Sequence, residues 1–136
     1  MIRSLKTLIT TTAAFLVLDG LWLGLLMTDF YKDALGSLAR RSGPDLAPIV
    51  WAALVVYALL PLGTFLFVLP RAAGSVAGAL GWGAVFGVIA YGVYDFTNYS
   101  TLNNWPAQVV AVDVAWGAII CGVSAAVATA AERRFS

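Results

Sequence analysis

Long apolar stretches separated by short polar segments dominate the chain. A helix that crosses a bilayer needs about 20 mostly apolar residues, and four stretches reach that length: 7–27, 49–69, 72–94 and 107–131. None of them alternates apolar and polar residues as the strands of a membrane barrel do. Within lipid every backbone N–H and C=O group must be hydrogen-bonded inside the protein, which a helix achieves by itself. The pattern therefore predicts an all-α integral membrane bundle of four transmembrane helices, in a single domain over residues 1–136.

The first apolar stretch follows Arg3 and Lys6, as the core of a secretory signal would. It is longer than such a core, contains Asp19 and shows no clear small-residue cleavage site. We interpret it as a retained transmembrane helix.

The longest connection, 29–48, has its own periodicity. Apolar residues recur there at three- and four-residue steps, with charged residues on the other faces; the apolar positions are Phe30, Tyr31, Ala34, Leu35 and Leu38. This pattern favours a short interfacial helix between helices 1 and 2, lying along the bilayer surface. A plain polar loop is the alternative.

Composition supports a membrane location and excludes several functions. The chain is 61% hydrophobic and 11% charged, whereas soluble domains are about 45–50% apolar and about 25% charged. A small domain cannot hide such an excess from water, so the lipid bilayer is the expected partner. A net charge of +1 gives no case for nucleic acid. With no histidine and with Cys121 as the single cysteine, the chain offers no disulfide, no Cys/His metal site and no cofactor motif.

The distribution of Lys and Arg predicts the orientation. One side of the membrane would carry five basic residues and the other three, which favours cytoplasmic termini. The first group comprises Arg3, Lys6, Arg71, Arg133 and Arg134, and the second Lys32, Arg40 and Arg41.

The second and third helices carry packing signals. Pro61 interrupts the second helix and is expected to kink it. The third contains the small-residue spacings Gly74/Gly78 and Gly83/Gly87, which let another helix approach closely. Packing within the monomer, a homodimer seam and a contact with a larger membrane partner would each use this Gly-rich third helix.

Three acids, Asp19, Asp95 and Asp113, fall in or at the ends of apolar segments. A charge at the centre of a membrane helix costs about 2.5–3.5 kcal/mol on insertion scales, so chance placement does not explain them. With about 1.5 Å of rise per residue, Asp19 should lie about 12 Å below one surface, Asp113 about 9 Å below the same surface, and Asp95 close to it. No Lys or Arg falls within the four apolar stretches. We therefore expect protonation, neutral hydrogen-bond donors or an external cation to stabilise the acids.

Neutral donors surround these acids in the sequence. Trp22 and Trp116 each follow an aspartate by three residues and share its helix face. Tyr91 and Asn98 lie four before and three after Asp95, and the polar segment before the fourth helix ends in Trp105. The candidate ligand- or proton-binding residues are Asp19, Asp95, Asp113, Trp22, Trp116, Tyr91 and Asn98.

The motifs together resemble the uncharacterised bacterial membrane-protein family domain of unknown function 2177. The resemblance covers nearly the whole length and rests on LDGLWLG at 18–24, YGVYDFTN at 91–98, Trp105-Pro106 and VDVAWG at 112–117. It implies a multi-pass protein of the bacterial inner membrane, and it assigns no catalytic residue, ligand or cofactor.

Three functions follow from these observations. The first is a site for a proton, a cation, a small polar solute or a lipid headgroup. The second is a structural or accessory subunit whose aspartates only fix helix packing. The third is an intramembrane carboxylate-dependent enzyme, which is disfavoured because the chain lacks a histidine and a nucleophile paired with a base.

Overall fold

Four long helices form the body of the protein in the computed structural model, which describes residues 2–134. They are long and apolar enough to cross a membrane and are named here the first to fourth spans: Ser4–Leu26, Val50–Ala72, Val76–Thr101 and Ala107–Arg134. The predicted all-α bundle of four transmembrane helices is confirmed.

The first two spans each contain a π-helical turn. The first is α-helical over Ile2–Leu21 and π-helical over Trp22–Leu26. The second is α-helical over Val50–Gly63, π-helical over Thr64–Val68 and α-helical over Leu69–Ala72.

Pro61 lies buried inside the second span. Proline has no N–H, so the carbonyl of Tyr57, four residues earlier, loses its usual helical partner. The π-helical turn begins three residues after Pro61. The kink expected at Pro61 stays a prediction.

A short helix follows the first span and confirms the segment predicted there. It covers Thr28–Leu35, is extended by a 3₁₀ turn over Gly36–Leu38, and is named here the surface helix. The sequence did not predict the antiparallel hairpin that follows, in which Arg41–Ser42 pairs with Asp45–Leu46.

The third span differs from its predicted bounds of 72–94, since it runs from Val76 to Thr101. Ser75 caps its start, because the Gly78 N–H donates to the Ser75 Oγ at 3.0 Å. At the other end, the Thr101 hydroxyl bonds back to the carbonyl of Thr97 at 2.8 Å, within the helix. Asp95 and Asn98 consequently lie inside the helix.

Buried residues recur every four positions and form an inward stripe on each of two spans. The stripe of the first span comprises Thr7, Thr11, Phe15 and Asp19, and that of the third comprises Ala79, Gly83, Gly87 and Asp95, with half-buried Tyr91 between the last two. Residues four apart share a helix face, so both stripes point into the bundle. Each stripe ends in an aspartate.

The third and fourth spans approach closely through glycine. A Cβ built on Gly83 would lie 2.6 Å from the carbonyl oxygen of Cys121, and one on Gly87 would lie 1.9 Å from that of Gly117. No larger side chain fits at these distances. The Gly83/Gly87 spacing therefore serves packing within the chain, whereas Gly74 adopts φ 77° in the turn before the span.

Candidate intramembrane acidic site

Asp19 joins three of the four spans. Its side chain is 8% exposed. One carboxyl oxygen accepts a hydrogen bond from the Tyr57 hydroxyl at 2.8 Å, and the other accepts from the Trp116 indole N–H at 2.9 Å. Both oxygens are thus satisfied by neutral donors, one from the second span and one from the fourth.

Two tryptophans stack at the centre of the site. The rings of Trp22 and Trp116 lie 4.2 Å apart between centroids and are nearly parallel, at 3°. The sequence suggested that each indole serves the aspartate on its own helix. In the structure Trp116 instead donates across the bundle to Asp19, since the ring stack places its N–H beside the first span.

Tyr31 connects the surface helix to Asp113. Its hydroxyl donates to the Asp113 carboxyl and accepts from the Trp22 indole N–H at 3.2 Å. Burial raises the pKa of the Tyr31 phenol, and the hydrogen bond to Asp113 raises that pKa further. Tyr31 is therefore a neutral donor throughout the physiological pH range.

Asp95 is the most enclosed of the three acids. Its side chain is 0% exposed, and neither carboxyl oxygen has a hydrogen-bond partner of acceptable geometry. Its near neighbours are the Asp113 carboxyl and the Trp105 indole, and the Trp105 N–H is itself buried without a partner. A buried ionised carboxylate without donors is costly. A proton on Asp95 would provide a hydrogen bond to Asp113.

The site lacks a positive charge. Among residues 4–134, whose side chains the structure describes, no ion pair reaches Asp19, Asp95 or Asp113. Outside the site, the ammonium of half-buried Lys32 pairs with the carboxylate of exposed Asp45 at 3.7 Å. In the described part of the chain, the acids are therefore stabilised by hydrogen bonds from neutral donors or neutralised by protons.

Two further candidates have different surroundings. Tyr91 is half-buried and packs against Gly117, where an added Cβ would lie 2.5 Å from the tyrosine ring. Its ring thus shapes the interior between the third and fourth spans. The Asn98 side chain neighbours the Tyr94 hydroxyl at the surface end of the third span.

The hydroxyl donors Tyr31 and Tyr57 were not predicted from the sequence. Tyr31 was assigned to the apolar face of an interfacial helix, and Tyr57 was counted only as part of an apolar span. Each of these tyrosines lies among the apolar positions of its helix, at about the depth of the membrane aspartates. That placement is the signal that could have identified both tyrosines as donors, because a buried tyrosine O–H usually finds a partner.

Comparison with known proteins agrees with this picture. A family profile described as predicted membrane protein (DUF2177) matches residues 4–130, nearly the whole chain. This match confirms the resemblance drawn from the motifs. The searches of curated proteins and of solved structures found no match.

Proposed function

This chain belongs to the DUF2177 family of predicted membrane proteins, and we propose that it works through a proton held inside the membrane by the carboxyl pair of Asp95 and Asp113. The observation that carries the proposal is the full burial of Asp95, whose two oxygens accept no hydrogen bond although the Trp105 indole and the Asp113 carboxyl lie nearby. Asp113 accepts a hydrogen bond from the Tyr31 hydroxyl, which favours the ionised form of Asp113 over that of Asp95. Asp95 is then the acid that holds the proton.

A proton suits the pair better than a metal ion. Ca²⁺ takes six to eight oxygen ligands, and Mg²⁺ demands octahedral geometry. Within residues 2–134 no group of three or more acidic, histidine or cysteine side chains is placed to hold a metal ion. A shared proton requires only one oxygen from each carboxyl.

Tyr31 offers a route for exchange of this proton. It lies on the surface helix, and its hydroxyl both donates and accepts, between Trp22 and Asp113. A proton arriving at that membrane face can pass through the hydroxyl to Asp113 and then to Asp95. The five-to-three distribution of Lys and Arg supports cytoplasmic termini, and the resemblance to a bacterial membrane-protein family supports an inner-membrane location. The site would then exchange protons with the opposite, extracytoplasmic side.

A structural role is the second candidate, and Asp19 favours it. Donors from two other spans satisfy both of its oxygens. Such hydrogen bonds are worth about 0.6 kcal/mol on average inside a membrane. On this view the acids fix helix packing, and the protein is a structural or accessory subunit.

Tryptophan fluorescence as a function of pH separates the two roles. Exposed Trp51 and Trp82 are first replaced by phenylalanine, so that the remaining indoles report on the site. In lipid nanodiscs we expect a fluorescence transition when Asp95, the neighbour of Trp105, gains or loses its proton.

The substitution Asp95→Asn should abolish that transition, whereas the exposed control Asp29→Asn should keep it. Size-exclusion chromatography and circular dichroism establish that each variant is folded. A folded Asp95→Asn protein with the wild-type transition would reject the proton site and leave the structural role.

A further inference from the structure

A cleft on the surface-helix side of the molecule stands apart from the acidic pair. It has a volume of about 600 Å³, within the range of small-molecule sites. The surface helix, the hairpin and the ends of the first and third spans enclose it. Its charged lining residues are Lys32, Arg40 and Asp45, and most of its wall is apolar.

The charge of the cleft favours an anion. Two cations face one carboxylate, and that carboxylate is 81% exposed, 3.7 Å from the Lys32 ammonium. Arg41 donates to the carbonyl of Lys32 and so ties the hairpin to the surface helix. Lys32 and Arg40 lie in the segment between the first and second spans, where the headgroups of a bilayer around the spans are expected.

An apolar groove lies next to the cleft. It runs between the second and third spans, has a volume of about 330 Å³ and is lined by Val56, Leu59, Leu60, Ala90, Tyr91 and Tyr94. Tyr94 lines the cleft as well, and its ring packs edge-on against Trp105 with 6.0 Å between centroids. A cationic cleft beside an apolar groove matches a molecule with an anionic head and a hydrocarbon tail.

We infer that the cleft and groove bind one anionic glycerophospholipid, with its phosphate at Lys32 and Arg40 and an acyl chain along the groove. The charge complementarity and the adjoining groove carry this assignment. It does not depend on the proton held by Asp95. Trp105 lines the cleft and neighbours Asp95, so it reports on both sites through separate measurements.

Quenching by brominated lipids measures the preference. The Trp51→Phe/Trp82→Phe protein is placed in bilayers of phosphatidylcholine and phosphatidylglycerol in which only one lipid is brominated. Brominated phosphatidylglycerol should quench more strongly than its content predicts. Lys32→Gln/Arg40→Gln should lower that preference about fivefold per cation removed, whereas Arg133→Gln/Arg134→Gln, at the C-terminal end of the fourth span, should leave it unchanged.

Two results would overturn the lipid site. One is equal quenching by both lipids in the wild-type protein, and the other is an equal loss in the two double variants, which would indicate general surface charge. Added inorganic phosphate should not change the quenching, because it has no acyl chain. Displacement of the brominated lipid by phosphate would reassign the cleft to a soluble anion and reject the proposal. The pH transition of Asp95 is expected to persist in the Lys32→Gln/Arg40→Gln protein.

Discussion

The contact between the third and fourth spans provides a direct test of the packing, through the substitution Gly87→Ala. The added Cβ would lie 1.9 Å from the carbonyl oxygen of Gly117 and 2.4 Å from its carbonyl carbon. Both atoms belong to the backbone, so a side-chain rotation cannot relieve the overlap. The two helices must separate.

The magnitude follows from two opposing terms. Overpacking in a close-packed interior costs about 1–3 kcal/mol, and an overlap this severe belongs near the upper limit. Alanine returns up to about 1 kcal/mol through its better helix propensity. We therefore expect Gly87→Ala to lower the free energy of unfolding by about 2–3 kcal/mol.

Gly92→Ala is the matched control. It lies on the same helix and makes the same chemical change, but a Cβ there has no atom within 4 Å. Unfolding is followed by circular dichroism as sodium dodecyl sulfate replaces a mild detergent. Gly87→Ala should unfold at a lower dodecyl sulfate fraction than Gly92→Ala, and equal midpoints would refute the close approach of the two spans.

One hydroxyl deletion and one tyrosine titration test the hydrogen bonds of the site. Tyr57→Phe removes one donor from Asp19 and should lower the unfolding free energy by about 0.6–1.7 kcal/mol in the same detergent assay. Tyr99→Phe, at an exposed position, is the control and should not lower it. Equal stability of the two variants would contradict the Asp19 bond. Burial, and after it the bond to Asp113, raises the pKa of the Tyr31 phenol. The stabilising contribution of Tyr31 is therefore complete below the ordinary tyrosine pKa of about 10. It is lost as pH rises through the pKa of the folded protein. Ultraviolet absorption should accordingly show a tyrosinate step that moves to lower pH in Asp113→Asn, and a step unchanged by that substitution would disprove the contact.

The four spans could be predicted because their signal is one of length and hydropathy. The bounds of the third were harder to predict, since they depend on the Ser75 cap and on hydroxyl groups that bond back to the helix. The sequence segment 97–101 looks like a polar loop, yet the Thr101 hydroxyl satisfies a carbonyl of its own helix. Local bonding of this kind is not visible in hydropathy.

Which donor bonds to which aspartate depends on the rotation of each helix about its own axis, and the spacing of residues in the sequence does not determine that rotation. Spacing placed Trp116 on the face of Asp113, whereas the indole stack turns its N–H towards Asp19. The stripe of buried residues at four-residue spacing that ends at Asp19 is a stronger signal than the spacing of tryptophan and aspartate, because it identifies the inward face of the first span. The contribution of Tyr31 required the surface helix to fold back against the fourth span, and no local pattern encodes that contact.

The proton on Asp95 is most directly observed by infrared spectroscopy of protein with isotope-labelled aspartate carboxyl groups, in lipid at neutral pH. Exposed aspartates are ionised there, since their usual pKa is about 3.9. We predict one labelled band from a protonated carboxyl in the wild-type protein and its loss in Asp95→Asn. A wild-type spectrum without that band, or a band that survives Asp95→Asn, would contradict the account.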